Sequence, residues 1–287
     1  MPTSNFASGL LWRFGAAVVF TVVAAAGAPA QPVLKIFDSH LHYNGAGTNA
    51  FFTVPQVLDV FRRNGIGGIV ANSRPNRGTQ QLVEAKAPGL WVVPFIRPYR
   101  VESDVGTWFT NPEIFELIET EYKRGYYKGV GEFHIYGEQT RSPLVKKTVD
   151  FAVERDLFLL AHSDEAAIPI LYSHNPKAKV IWAHTGFGTP TPLVREYLEK
   201  YPTLMAELSY RSGITEGGGR LSAEWRDLFA KHSDRFLLGA DTWVNGRWSS
   251  YGETFREYRD WLAQLPPEQA RRIAHGNAER IYGGKIE

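Results

Sequence analysis

What most constrains this chain is an alternation. Eight short apolar runs of strand length recur along it, and each is followed by a stretch with helical periodicity or helix-end signals. The runs are 33–40 (VLKIFDSH), 65–72 (GIGGIVAN), 90–97 (LWVVPFIR), 127–137 (YKGVGEFHIYG), 157–162 (LFLLAH), 178–184 (AKVIWAH), 203–209 (TLMAELS) and 235–241 (RFLLGAD). The spacing predicts helices over 53–65, 79–87, 112–124, 142–156, 165–173, 191–202 and 222–232, and two closing helices near 253–264 and 267–281. Thr53 stands as an N-cap before Pro55, and Ser142 before Pro143 at the first helical position. Strands that alternate with helices pair in parallel through right-handed crossovers. Eight such units in a domain of about 250 residues point to a closed (β/α)8 barrel forming a single domain. A doubly wound open sheet is the alternative. No G-x-G-x-x-G follows the first run and no G-x-x-x-x-G-K-[ST] occurs, so no phosphate-binding turn supports it.

The first thirty residues read differently. After Arg13 an unbroken small and apolar stretch from Phe14 ends in Ala28-Pro29-Ala30. That pattern predicts a secretory signal peptide over residues 1–30, cleaved after Ala30, with 31–287 as the mature domain. An uncleaved anchor is the alternative, but the stretch is at the short edge for a span. No Arg-Arg pair indicates the twin-arginine route. The expectation is therefore an exported protein, periplasmic or secreted, with no stable membrane span after cleavage.

Two compositional facts narrow the chemistry. The formal net charge is +2 with no run of basic residues, which argues against a nucleic-acid surface. There is no cysteine. An exported chain of this kind has no disulfides, and any metal site must use nitrogen and oxygen ligands.

In a barrel of this kind the chemistry sits at the C-terminal ends of the strands. Five of the eight runs deliver an imidazole or a carboxylate there: His40 and His42, Glu132, His162, His184, and Asp241. Side chains at i and i+2 of a strand share a face, so His40 and His42 point inward together. Imidazoles and carboxylates on one rim suit zinc or a similar divalent ion. Buried ionisable groups in such number are costly unless paired or metal-bound.

The motifs FDSHLHYN, LLAHSD, VIWAHTGFG and LLGADTW, in this order, resemble the amidohydrolase superfamily. They are most similar to its amidohydrolase-related branch, the amidohydrolase family 2 proteins. The closing RRIAHGNAERIYG resembles that branch's C-terminal helix with its Asn-Ala pair, so the resemblance spans residues 35–283. It implies that His40 and His42 ligate a first metal. Asp241 ligates it as well and serves as general base toward the metal-bound water. His162 ligates the same ion or a second one. His184 is a ligand to a second metal or an unligated group that polarises the scissile bond. Many two-metal relatives bridge their ions with a carboxylated lysine on strand four. Here that strand presents Glu132 instead, as in TatD-type deoxyribonucleases and some phosphotriesterase-like enzymes, so one or two ions remain open. Lys128 lies four residues earlier, about 13 Å away along the strand, too far to bridge.

The implied activity is metal-dependent hydrolysis of an ester, lactone, amide or similar bond in a small molecule. The alternatives are a metal-dependent decarboxylase or lyase of the same superfamily, and a catalytically inactive metal- or ligand-binding protein. A binding protein has no need of the base Asp241 beside its metal. Four further residues are expected to contact substrate: Arg97 at the end of strand three, His134 on the face of Glu132, and Arg211 and Trp243 in the loops after strands seven and eight.

Overall fold

The computed structural model describes residues 33–44 and 52–287. The expected signal segment, residues 1–30, lies outside the described residues. Residues 33–287 form one compact unit, and among the described residues no helix is long and apolar enough to cross a membrane.

Eight parallel strands follow one another in chain order around a barrel. They are β1 (Ile36–Leu41), β2 (Ile66–Ala71), β3 (Trp91–Ile96), β4 (Gly129–Ile135), β5 (Phe158–Ser163), β6 (Lys179–Ala183), β7 (Met205–Glu207) and β8 (Phe236–Leu237). The helices are α1 (Val54–Arg63), α2 (Arg77–Glu84), α3 (Pro112–Tyr122), α4 (Pro143–Glu154), α5 (Ala167–His174), α6 (Thr191–Lys200), α7 (Ala223–His232), α8 (Asn245–Ser249), α9 (Tyr251–Leu262), α10 (Pro267–Arg271) and α11 (Asn277–Tyr282). The predicted (β/α)8 barrel is the observed fold. Its helix starts follow local chemistry: the Ser142 hydroxyl accepts from Leu144 N–H at 3.2 Å, ahead of Pro143.

Closure falls between β8 and β1. Ser39 N–H donates to the Leu238 carbonyl and Asp241 N–H to the His40 carbonyl, both at 2.7 Å. The buried Asp38 carboxylate holds the same seam. Its Oδ1 accepts from His40 N–H (3.1 Å) and Ala240 N–H (3.0 Å), and its Oδ2 accepts from the Tyr251 hydroxyl of α9 (2.8 Å). Burial nevertheless pushes this carboxyl up to about 7.

The predicted last strand, 235–241, is reduced to two residues, and the seventh to three. The reason lies at this seam. Beyond Leu237 the chain bonds to the Asp38 carboxylate and to single carbonyls of β1 instead of a regular ladder, and it reaches Asp241 with φ +47°. His184 likewise stands one residue past β6, with φ +58°.

Apolar residues fill two layers. The larger cluster packs outward-facing strand residues against the helices. The smaller fills the barrel with Phe37, Val93, Phe95, Leu160, Ile181 and Leu237, closed by Tyr282 of α11. Phe37 and His40 both point inward although three residues apart, because β1 shifts register between Asp38 and Leu41. Asn277, of the Asn-Ala pair, donates to the carbonyls of Ser233 (2.8 Å) and Phe236 (2.9 Å) and so pins α11 to the entry of β8.

Gly239 is the tightest point under the site. A Cβ there would stand 2.3 Å from Glu207 Oε1 and 2.6 Å from His40 Cβ. Gly239→Ala is expected to destabilise the fold by about 1–3 kcal/mol, as overpacking does. Gly106→Ala, where an added Cβ meets nothing within 4 Å, should stay within about 0.5 kcal/mol of the parent. Thermal melts of the two variants check this.

Candidate metal centre

Six side chains converge at the C-terminal rim of the barrel. Glu132, buried on β4, is the hub. Its Oε1 lies 2.7 Å from His162 Nδ1, 3.4 Å from His184 Nε2 and 3.5 Å from His40 Nε2, and its Oε2 lies 3.3 Å from His42 Nε2. Asp241 Oδ1 lies 3.0 Å from His42 Nε2 and 3.6 Å from His40 Nε2. Three candidate ligand groups result among the described residues, and two of them contain Glu132: His40, His42, Glu132 and Asp241, and Glu132, His162 and His184. The third joins His40, His184 and Glu207. Gly131 lets β4 bring this carboxylate in. Its φ is +134°, and a Cβ would stand 2.4 Å from the Leu160 carbonyl.

Behind the centre, a second set of acceptors fixes the imidazoles. His40 Nδ1 faces Glu207 Oε2 at 3.1 Å, His42 Nδ1 faces the Asn72 carbonyl at 2.6 Å, and His184 Nδ1 faces the Ser209 carbonyl at 2.9 Å. Those oxygens can only accept, so each Nδ1 carries a proton and each Nε2 is the nitrogen turned toward the centre. His42 Nδ1 also lies 2.6 Å from Arg97 Nη1. With the Nδ1 proton committed to Asn72, Arg97 does not donate to Nδ1; its Nη1 also lies 3.1 Å from His42 Nε2. Arg97 bonds instead to Asn72 Oδ1 (2.9 Å) and Glu132 Oε2 (3.0 Å).

His40 Nε2 is buried without a hydrogen-bond partner. A buried nitrogen orphaned among carboxylates is what a cation would satisfy once it displaces the imidazolium proton. The donor set of imidazole nitrogens and carboxylate oxygens suits zinc or a similar ion. The electrostatics agree. Burial alone would push Glu132 up, but His40, Arg97, His134 and His162 outweigh it and hold the carboxyl well below its usual range. Burial also opposes the charge of Asp241, yet His40 and His42 bring it down to about 2. Burial presses the His40 imidazolium down, but Glu132, Asp241 and Glu207 overcome this and raise it well above its ordinary value. The buried rim thus keeps its carboxylates ionised and attracts positive charge.

The structure brings together all six expected ligands. Of the expected substrate contacts, Arg97, His134 and Trp243 line the cavity over the centre; Arg211 does not. Arg211 turns away to donate to the carbonyls of Phe187 and Thr189, with its guanidinium 5.0 Å from the centre of the Trp225 ring, and so braces the loop after β6. Lys128 is exposed ahead of β4. Sequence reasoning did not single out Glu207, Asn72 or Ser209. Glu207 was open to discovery as a lone carboxylate inside the apolar run TLMAELS.

The cavity measures about 520 Å³ and is lined by His42, Arg74, Arg97, Glu102, His134, Phe187, Tyr210 and Trp243 among others. Its family can now be named. The sequence profile described as amidohydrolase matches residues 123–284, more than half of the chain. The chain belongs to the amidohydrolase family. No curated protein sequence matches it. Among solved structures, an amidohydrolase from Burkholderia multivorans with bound zinc is 16% identical at a TM-score of 0.59, over 88% of this chain and 100% of that one. A probable 2-pyrone-4,6-dicarboxylic acid hydrolase from Acinetobacter baumannii with bound citric acid is 13% identical at 0.59, over 87% and 99%. A TatD homologue from Escherichia coli is 15% identical at 0.62, over 88% and 99%. At these identities the likeness of this amidohydrolase to the three is one of fold.

His134 contributes a polar atom of known character. The Tyr99 hydroxyl is buried, accepts from His134 N–H at 2.7 Å and lies 3.1 Å from His134 Nδ1. Its own proton has Nδ1 as acceptor, which leaves the ring proton on Nε2, and burial lowers the imidazole to about 3. A bound cation would push the same way. Nitrogen-15 NMR of labelled protein is expected to show His134 neutral from pH 5 to 8 with the proton on Nε2. Tyr99→Phe should lose that tautomer preference.

Proposed function

We propose that this amidohydrolase is a metal-dependent hydrolase of a small-molecule ester, lactone or similar bond, with a two-ion centre. One observation carries the reading: Glu132 is common to two ligand groups at the rim, with the orphaned His40 Nε2 beside it. The solved structure with bound zinc supports zinc as the ion. His40, His42, Glu132 and Asp241 would hold one ion; Glu132, His162 and His184 would hold the other. When bound, such ions lower the pKa of water and polarise the carbonyl of a substrate.

The remaining work falls to this chain's own groups. Asp241 is ionised, opens on the cavity and is placed to accept a proton from the attacking water and to return it to the leaving group. Glu207, Asn72 and Ser209 fix the imidazoles so that no reorientation is needed during turnover. Arg97 balances the charge of Glu132 and orders it. Phe187 covers His184, ring against ring at 4.3 Å, and limits the approach of bulk water from that side.

The metal content of the purified protein tests the two-ion reading. About two equivalents of divalent ion per chain are expected, with hydrolysis of chromogenic esters or lactones lost to a chelator and restored by zinc. One equivalent at full activity would remove the second ion. Asp241→Asn should keep the fold and the ion held by Glu132, His162 and His184, and lower kcat by about 10²–10⁴-fold, the range for a lost general base. Near-parent turnover in that variant would remove the base assignment.

We also propose that residues 1–30 direct export. The N-terminal sequence of protein recovered from outside the cytoplasm should begin at Gln31; an intact Met1 on that material would contradict cleavage.

A further inference from the structure

Among the described residues, six large apolar side chains are exposed: Val33, Val101, Tyr136, Phe187, Tyr210 and Trp243. Five of the six sit on loops that follow strands, at the end of the barrel that carries the centre. Phe187, Tyr210 and Trp243 line the cavity itself, at 39%, 42% and 56% exposure. Apolar surface gathered at a cavity mouth marks a ligand site.

These rings are held in place by the protein. The Trp243 indole N–H donates to the Tyr210 hydroxyl at 3.2 Å. The Arg247 guanidinium lies 4.2 Å from the centre of the Tyr210 ring and is tied to the Ala240 carbonyl at 2.6 Å. Phe187 stacks on His184, and Arg211 grips its carbonyl. Rings fixed in this way lose little entropy when a flat ligand stacks on them.

The charges lining the cavity are already committed. Arg74 pairs with Glu102, and Arg97 pairs with Glu132. Asp241 faces the metal-ligating imidazoles. Among the described residues, each guanidinium lining the cavity already faces a carboxylate, and an anionic substrate would also meet the Glu102 carboxylate.

We propose that this cavity selects an uncharged substrate with a flat, unsaturated body that lies among Phe187, Tyr210 and Trp243, and that it discriminates against a carboxylated one. The proposal rests on the hydrolase reading only for the nature of the scissile bond. It is tested by calorimetric binding of lactams, which mimic lactones, to the metal-loaded full chain. The probes are 2-quinolone (flat and neutral), 2-quinolone-4-carboxylate (flat and anionic) and 2-piperidone (neutral and saturated).

2-Quinolone is expected to bind at least about tenfold more tightly than either of the others. Trp243→Ala should weaken it about tenfold, the size of one lost ring–ring contact, and Trp243→Phe by no more than about threefold. Equal or tighter binding of the carboxylate, equal binding of 2-piperidone, an affinity unmoved by Trp243→Ala, or no binding of any probe would each overturn the proposal. Turnover of the matching lactones, coumarin and δ-valerolactone, is scored separately. Quinolone binding without lactone turnover upholds the cavity's selectivity and sinks the hydrolase reading. Lactone turnover with a preference for anionic ligands does the reverse.

Discussion

The structure depends on one buried carboxylate. Glu132 is removed from water at the top of a barrel whose lower half is packed with phenylalanine and aliphatic side chains. An ionised carboxylate there is stable only if charge and hydrogen bonds replace its hydration. Four imidazoles and one guanidinium surround it. His40, His42, His184 and Arg97 are themselves held from outside, by Glu207, Asn72 and Ser209, so the centre cannot collapse to satisfy itself. The Nε2 of His40 is left over. A rim built in this way is poised for a cation, because that nitrogen lies among carboxylates without a hydrogen-bond partner.

The same demand shapes the backbone. Among the described residues, seven non-glycine residues have positive φ. Five of them, His184, Thr185, Phe187, Tyr210 and Asp241, stand where the chain leaves β6, β7 and β8 at the rim. Left-handed conformations are unfavourable for such residues and persist only where surroundings over-determine them. Here the surroundings are specific. His184 N–H donates to Glu207 Oε2 at 3.0 Å, Thr185 donates to the Glu207 carbonyl at 2.8 Å, and Asp241 N–H donates to the His40 carbonyl. Glu207 thus orients an imidazole, ties down the turn after β6 and lies within reach of β1.

These bonds also explain what could and could not be read from sequence. The alternation of runs was legible because burying a strand on both faces demands a continuous apolar run, and His40, His42, Glu132, His162, His184 and Asp241 stood out as ionisable groups at the ends of such runs. The true ends of the last three strands were not legible. Residues 208–209 and 238–241 keep the composition of a strand, but isolated backbone bonds and side-chain acceptors replace the regular ladder there, and composition does not report a hydrogen-bond partner. Asn72 and Ser209 were invisible for a related reason. Asn and Ser end strands in any protein, and only the folded barrel shows that they meet histidines from β1 and β6. Arg211 misled because a guanidinium in a rim loop suits an anionic ligand as well as two backbone carbonyls. The geometry of the Phe187 loop decides for the carbonyls.

The rim therefore divides into two kinds of residue by what holds them. The imidazoles and carboxylates are fixed from the barrel wall, through bonds that reach β2, β3 and β7, and a change in any one disturbs several others. Tyr210 and Trp243 are fixed from the loop side, by Arg247 and by each other, while Phe187 is held by Arg211 and by its stack on His184. A substitution at Trp243 can reshape the wall facing a ligand while the metal-ligating groups keep their places. The separation follows from the barrel. Strand ends converge on an axis, whereas the loops beyond them diverge from it and are free to vary.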